Sequence, residues 1–133
     1  MFLTAEETLI VSILLIAGAV VHELGHYFWG LVFRRDPVIT GWYFVLPDQV
    51  SLNDMDGMAN WEVRVFAGYV LVFPLLAGYG LWNQHLYLSA FVIGGAVGIS
   101  ATDLIGLYHP EEWLKMANGE SVNFDDFGKP GLW

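Results

Sequence analysis

From Leu9 to Phe33 the chain reads LIVSILLIAGAVVHELGHYFWGLVF, an apolar run with Arg34 and Arg35 directly behind it. At 1.5 Å per residue a helix of this length crosses the roughly 30 Å hydrocarbon core of a bilayer. The run lacks a basic leader and a small-residue cleavage site, so it is expected to stay in the mature protein as a first membrane span rather than act as a signal peptide. Inside it lie three ionisable side chains, His22, Glu23 and His26. An ionisable residue at mid-bilayer costs about 2.5–3.5 kcal/mol on insertion scales, so three grouped together demand compensation.

The rest of the chain fits a membrane protein. Hydrophobic residues make up 56% of it and charged residues 14%, against about a quarter charged in ordinary soluble domains. Two further apolar runs, about 63–82 and about 86–108, predict a second and a third span. Pro74 and the glycines of the second are tolerated in membrane helices, and Gly94 and Gly98 carry GxxxG spacing for close helix packing. The expected fold class is therefore membrane all-α, a single domain of three transmembrane helices filling residues 1–133, because spans of about 20 residues leave too little chain for a second core.

Between the first two spans, the loop 34–62 contains the β-prone stretch Val38–Leu46 between Pro37 and Pro47, and then a turn signal at Asn53-Asp54-Met55-Asp56-Gly57. One or two strands near the membrane surface are expected, with Val38 to Leu46 either an edge that an extended peptide can pair with or a strand that only covers the bundle. In the tail 109–133, Glu111 and Glu112 after Pro110 open a short helix that Asn118-Gly119 ends; beyond it an irregular segment is expected. Arg34, Arg35 and Arg64 precede the second span and Lys115 and Lys129 follow the third, so the positive-inside rule predicts an outside amino terminus and a cytoplasmic carboxyl terminus in a multi-pass cell-membrane protein.

The net charge of −9 argues against nucleic acid as a partner, and the absence of cysteine leaves His, Asp and Glu as the available metal ligands. His22 and His26, four residues apart, face the same side of a helix and can share one Zn²⁺. Taken alone the His-Glu-x-x-His pattern arises by chance on the order of once in several hundred chains of this size. Its place in a span is what sharpens it, since coordination offsets the cost of burial. A third ligand is wanted, and Asp103 is favoured: it lies in the cytoplasmic half of the third span, as the His pair does in the first. His109 is the competitor beyond the hydrocarbon edge, and His85 falls at the outer end of the bundle. Glu23 is the expected general base, with zinc activating water to hydrolyse a peptide bond, and Ser100, Thr102 and Asn60 are candidates for contacting substrate or its oxyanion. The alternative is a zinc-binding membrane protein that has lost proteolysis and serves as a partner or regulator.

The residues Val21-His22-Glu23-Leu24-Gly25-His26-Tyr27-Phe28, the following Arg34-Arg35 and β-prone stretch, Phe66-Ala67-Gly68 and an Asp in the third span resemble the site-2 protease family of intramembrane zinc metalloproteases, peptidase family M50. The resemblance implies a minimal three-helix zinc-protease core, with zinc held by His22, His26 and Asp103, and membrane-anchored protein or peptide substrates cleaved at the lipid bilayer. The chain departs from that pattern around Asp103, which follows Ser100-Ala101-Thr102 and precedes Leu104, where the family carries Asn and Pro ahead of an Asp-Gly pair.

Overall fold

A computed structural model of the chain describes residues 2–120. Lys129 and the segment expected to be irregular beyond residue 120 lie outside the described residues.

Helix α1 runs Ala5–Val32. Thr4 starts it through a capping box: its hydroxyl accepts the Glu7 N–H at 3.1 Å, and Glu7 in return accepts the Thr4 N–H at 2.8 Å. Arg34, in the left-handed region at φ 57°, takes the chain out of the helix. The buried residues of α1 are Gly18, His22, His26 and Gly30, one every fourth position, whereas Leu9, Ile13, Leu24, Phe28 and Leu31 are exposed. Small and polar side chains inside with large apolar ones outside is the arrangement a lipid-facing helix requires.

The loop folds into an antiparallel hairpin of β1 (Pro37–Tyr43) and β2 (Leu46–Leu52). Pro47 lies inside β2 rather than at a strand boundary; both strands of a two-stranded sheet are edges, where a missing N–H is tolerated. Phe44, at φ 56°, turns the hairpin, and Phe44 and Val45 stand exposed at its tip. The base lies beside Gly30, where an added Cβ would approach Pro37 Cβ within 2.7 Å and Leu52 Cδ2 within 2.9 Å. Tyr43 and the first residues of β2 share a cavity with Ile16 and Val20 of α1. The hairpin therefore folds back along α1.

Helix α2 (Asn60–Gly68), a 3-10 segment (Tyr69–Leu71) and α3 (Val72–Trp82) together form the second run long and apolar enough to cross a membrane. The third run differs from expectation. Instead of one helix over 86–108 it consists of α4 (Leu86–Val97) and α5 (Ala101–Tyr108), bent by 78° at Gly98–Ser100. Two helices thus qualify as spans by length and composition, or up to three if the bent pair is one span. The bend has a local cause: Ser100 caps α5, with its hydroxyl accepting the Asp103 N–H at 3.3 Å and Asp103 accepting the Ser100 N–H at 2.8 Å. A last short helix, α6 (Pro110–Ala117), begins on its proline and ends before Gly119 at φ 76°.

Helix α4 packs against α1 through small residues. Gly18 faces the Phe91 carbonyl and the Gly95 nitrogen, and Gly94 faces the Leu15 backbone. The close approach is thus made at Gly94 and Gly95, while Gly98 sits beside the His22 ring, 3.2 Å from Nδ1 to its would-be Cβ. On the loop side, Arg35 bridges three segments, donating to the Asp56 carbonyl at 2.6 Å and to Glu62 at 2.9 Å, while Glu62 also accepts the Ala59 N–H that opens α2.

Candidate metal centre and its cavity

The His pair is fixed from behind by backbone. His22 Nδ1 lies 2.8 Å from the Gly95 carbonyl oxygen and His26 Nδ1 lies 2.8 Å from the Phe66 carbonyl oxygen. A carbonyl only accepts, so each Nδ1 carries the proton and each Nε2 presents a lone pair. Both carbonyls belong to interrupted helices: Gly95 is in the last turn of α4 before the bend, and Phe66 in the last turn of α2 before the 3-10 segment. The last carbonyls of a helix lack intrahelical donors, which frees them for this use. Such support behind a ligating imidazole sets the tautomer and the ring orientation.

Asp103 faces the two lone pairs. Its Oδ1 is 3.1 Å from His26 Nε2 and its Oδ2 is 3.6 Å from His22 Nε2. Lone pairs this close repel unless a proton or a metal cation lies between them. One donor atom from each of His22, His26 and Asp103 falls within 4.8 Å of the others, and all three residues are buried. Donors on a tetrahedral metal at about 2.1 Å stand about 3.4 Å apart, a spacing that the two measured contacts bracket. Among the described residues His22 Nε2 is buried with no hydrogen-bond partner; such an orphan is costly unless something fills its place. These residues fit, and could hold, a metal ion. Asp103 is in turn held by Ser100, which gives Oδ2 its N–H at 2.8 Å and its hydroxyl at 3.1 Å.

Glu23 stands beside the group, Oε1 3.8 Å from His22 Nε2. It lines, with His26 and Asp103, a cavity of about 590 Å³ whose other wall is β2. Of the candidate substrate contacts, Thr102 lines this cavity. Ser100 also borders it, but its hydroxyl is engaged with Asp103. Asn60 is absent from the lining and donates to Glu111 at 3.3 Å. His85 lies at the turn into α4, bordering a different hollow with Glu7 and Tyr79. His109 caps α6 and is not part of the metal-binding group.

Tyr69, which the sequence reading does not single out, completes the centre. Its ring packs on both imidazoles, with centroids 6.3 Å from His22 and 5.1 Å from His26, and its hydroxyl donates to the His22 carbonyl. A Cβ at position 25 would collide with that hydroxyl, which explains why the motif has glycine there. Phe73 stacks on His22 at 5.8 Å, its ring 6.4 Å from that of Tyr69. Neither aromatic could be assigned from sequence, where both look like ordinary span residues.

Compared with models of protein families, with curated proteins and with solved structures, the chain matches none.

Proposed function

We propose that the chain is a membrane-embedded zinc metalloprotease, cleaving membrane-anchored proteins or peptides at a site in the cytoplasmic half of the bilayer. The observation that carries the reading is the buried, unpartnered His22 Nε2 beside His26 and Asp103, with an acid, Glu23, next to it on an open cavity. Zinc fits this donor set better than Mg²⁺ or Ca²⁺, which take oxygen ligands. When bound by His22, His26 and Asp103, zinc would supply Lewis acidity toward a peptide carbonyl and toward water.

The chain's own residues do the rest. Glu23 takes the proton of the attacking water at its carboxylate and passes it to the departing amine. The Gly95 and Phe66 carbonyls hold the imidazoles with Nε2 forward, and Ser100 holds Asp103. An intact substrate helix has its carbonyls engaged, so a cleavable segment must be extended. The hairpin edge offers such a segment backbone partners. With Arg34, Arg35, Arg64 and Lys115 on the cytoplasmic side, the amino terminus is outside.

The second reading, a zinc-binding membrane protein without proteolysis, draws on the scarcity of oxyanion donors: among Ser100, Thr102 and Asn60, Thr102 alone faces the cavity with a hydroxyl not engaged by Asp103. Glu23→Gln separates the two. In the full chain reconstituted in liposomes with a panel of single-span peptides, the variant keeps stoichiometric zinc and loses cleavage by at least about 10²-fold. Cleavage at the wild-type rate in that variant sinks the mechanism. Wild-type zinc content in a His22→Ala, His26→Ala double variant sinks the site.

A further inference from the structure

Five consecutive residues of β2, Leu46 to Val50, line the cavity, whereas β1 contributes Tyr43. Side chains along a strand alternate between faces, so a continuous run at one boundary means that the backbone edge of β2 is what the cavity meets. The peptide-pairing edge is therefore β2 rather than the Val38–Leu46 stretch expected from sequence. In the middle of that edge stands Asp48. It sits at a bulge, between Pro47, which pairs with Trp42, and Gln49, which pairs with Gly41; it is exposed, and among the described residues its carboxylate makes no hydrogen bond and no ion pair.

Among the described residues, the cavity is lined by two other carboxylates, Glu23 and Asp103, and by no Lys or Arg. Asp103 faces the His pair and Glu23 lies beside it, whereas Asp48 has no counter-charge. Of the described cations, Arg35 is paired with Glu62 and Lys115 with Glu112 at 3.0 Å, and neither Arg34 nor Arg64 lines the cavity. An exposed carboxylate on a strand edge, beside a cavity whose other charged groups are the acids Glu23 and Asp103, favours a cation over an anion in whatever lies along that edge.

We propose that Asp48 is a specificity-determining residue that selects a basic side chain, Lys or Arg, in an extended peptide laid along β2. The inference rests on the proteolytic reading for its place in a reaction, but binding alone can test it. Residues directly opposite each other on paired strands place their side chains on one face, where opposite charges attract and like charges repel. Asp48 thus reads a single substrate position, the one across from it, and leaves neighbouring positions unread.

The test uses the zinc-loaded full chain in liposomes and single-span peptides that differ at one residue, Lys, Gln or Glu, moved stepwise through the segment around the cleaved bond. One position is expected to rank Lys over Gln over Glu, with about fivefold at each step, equivalent to ~1 kcal/mol. Asp48→Asn collapses that ranking and Asp48→Lys inverts it. An unchanged ranking in Asp48→Asn, or no charge preference at any position in the wild type, overturns the inference and leaves proteolysis standing. If no peptide is cleaved, the proteolytic reading fails, and retention of the fluorescent peptides decides: Lys peptides held more tightly in an Asp48-dependent way support the inference, and equal retention of Lys and Glu peptides overturns it.

Discussion

Replacing Gly18 with alanine should weaken a metal centre that the glycine never touches. The added Cβ would sit 2.8 Å from the Gly95 nitrogen and closer still to the Phe91 carbonyl oxygen. Both are backbone atoms of α4, so no side chain can swing aside. To bring the Gly95 nitrogen to an ordinary 3.4 Å contact, α4 must retreat by about 0.6 Å, and relief at Phe91 needs more. One turn along α1, His22 Nδ1 lies 2.8 Å from the carbonyl oxygen of the same Gly95. A retreat of this size stretches that bond to about 3.4 Å or beyond, where little of it survives. Losing the support behind a ligating imidazole costs about 10- to 100-fold in metal affinity. Competition titration with a chromogenic chelator measures it, with Gly78→Ala as control, because no atom lies within 4 Å of where that Cβ would be. Wild-type affinity in Gly18→Ala would refute the link between helix crossing and ligand alignment.

Other outcomes follow from named contacts. Ser100→Ala removes the cap of α5 and the hydroxyl on Asp103 together; stability should fall by about 1 kcal/mol and metal affinity by about tenfold, with Ser100→Thr restoring both in the same titration. Arg35→Met leaves the Glu62 carboxylate, a side chain 13% exposed, without its cation; the unfolding midpoint in a detergent titration should drop by the equivalent of about 3 kcal/mol, and a change below about 0.5 kcal/mol would show the bridge to be incidental. Asn60→Ala should leave cleavage of every peptide within about twofold in the liposome assay, since Asn60 points to Glu111 rather than the cavity.

The first helix is the most legible part of the sequence, because a long apolar run with two histidines four residues apart admits few alternatives. His22, His26 and Asp103 are legible for a related reason: buried ionisable groups must find one another. The bend between α4 and α5 escapes a reading by hydropathy, since Ile99 and Ala101 keep the average high across it. Yet Ser100-Ala101-Thr102-Asp103 has the spacing of a capping box, a signal that a helix begins there. Strand β2 escapes for the opposite reason, as Asp48, Gln49 and Ser51 make it too polar to look like a strand. The acceptors behind the imidazoles could not have been found at all, because a backbone carbonyl carries no residue signature; Gly95 and Phe66 are chosen by where helices stop.

Helix α4, with twelve residues, is about 18 Å long, against roughly 30 Å of hydrocarbon in an ordinary bilayer. The sharp turn into α5 leaves that shortfall beside the metal-binding residues. If the bent pair is one span, as the proposed reading requires, lipid next to α4 would thin to match it, at a fraction of a kcal/mol for each ångström. Under the proteolytic reading acyl-chain length then becomes a variable of the chemistry: in shorter-chain lipid the mismatch relaxes, the path from the aqueous phase to Asp103 shortens, and turnover is expected to rise with no change in the protein.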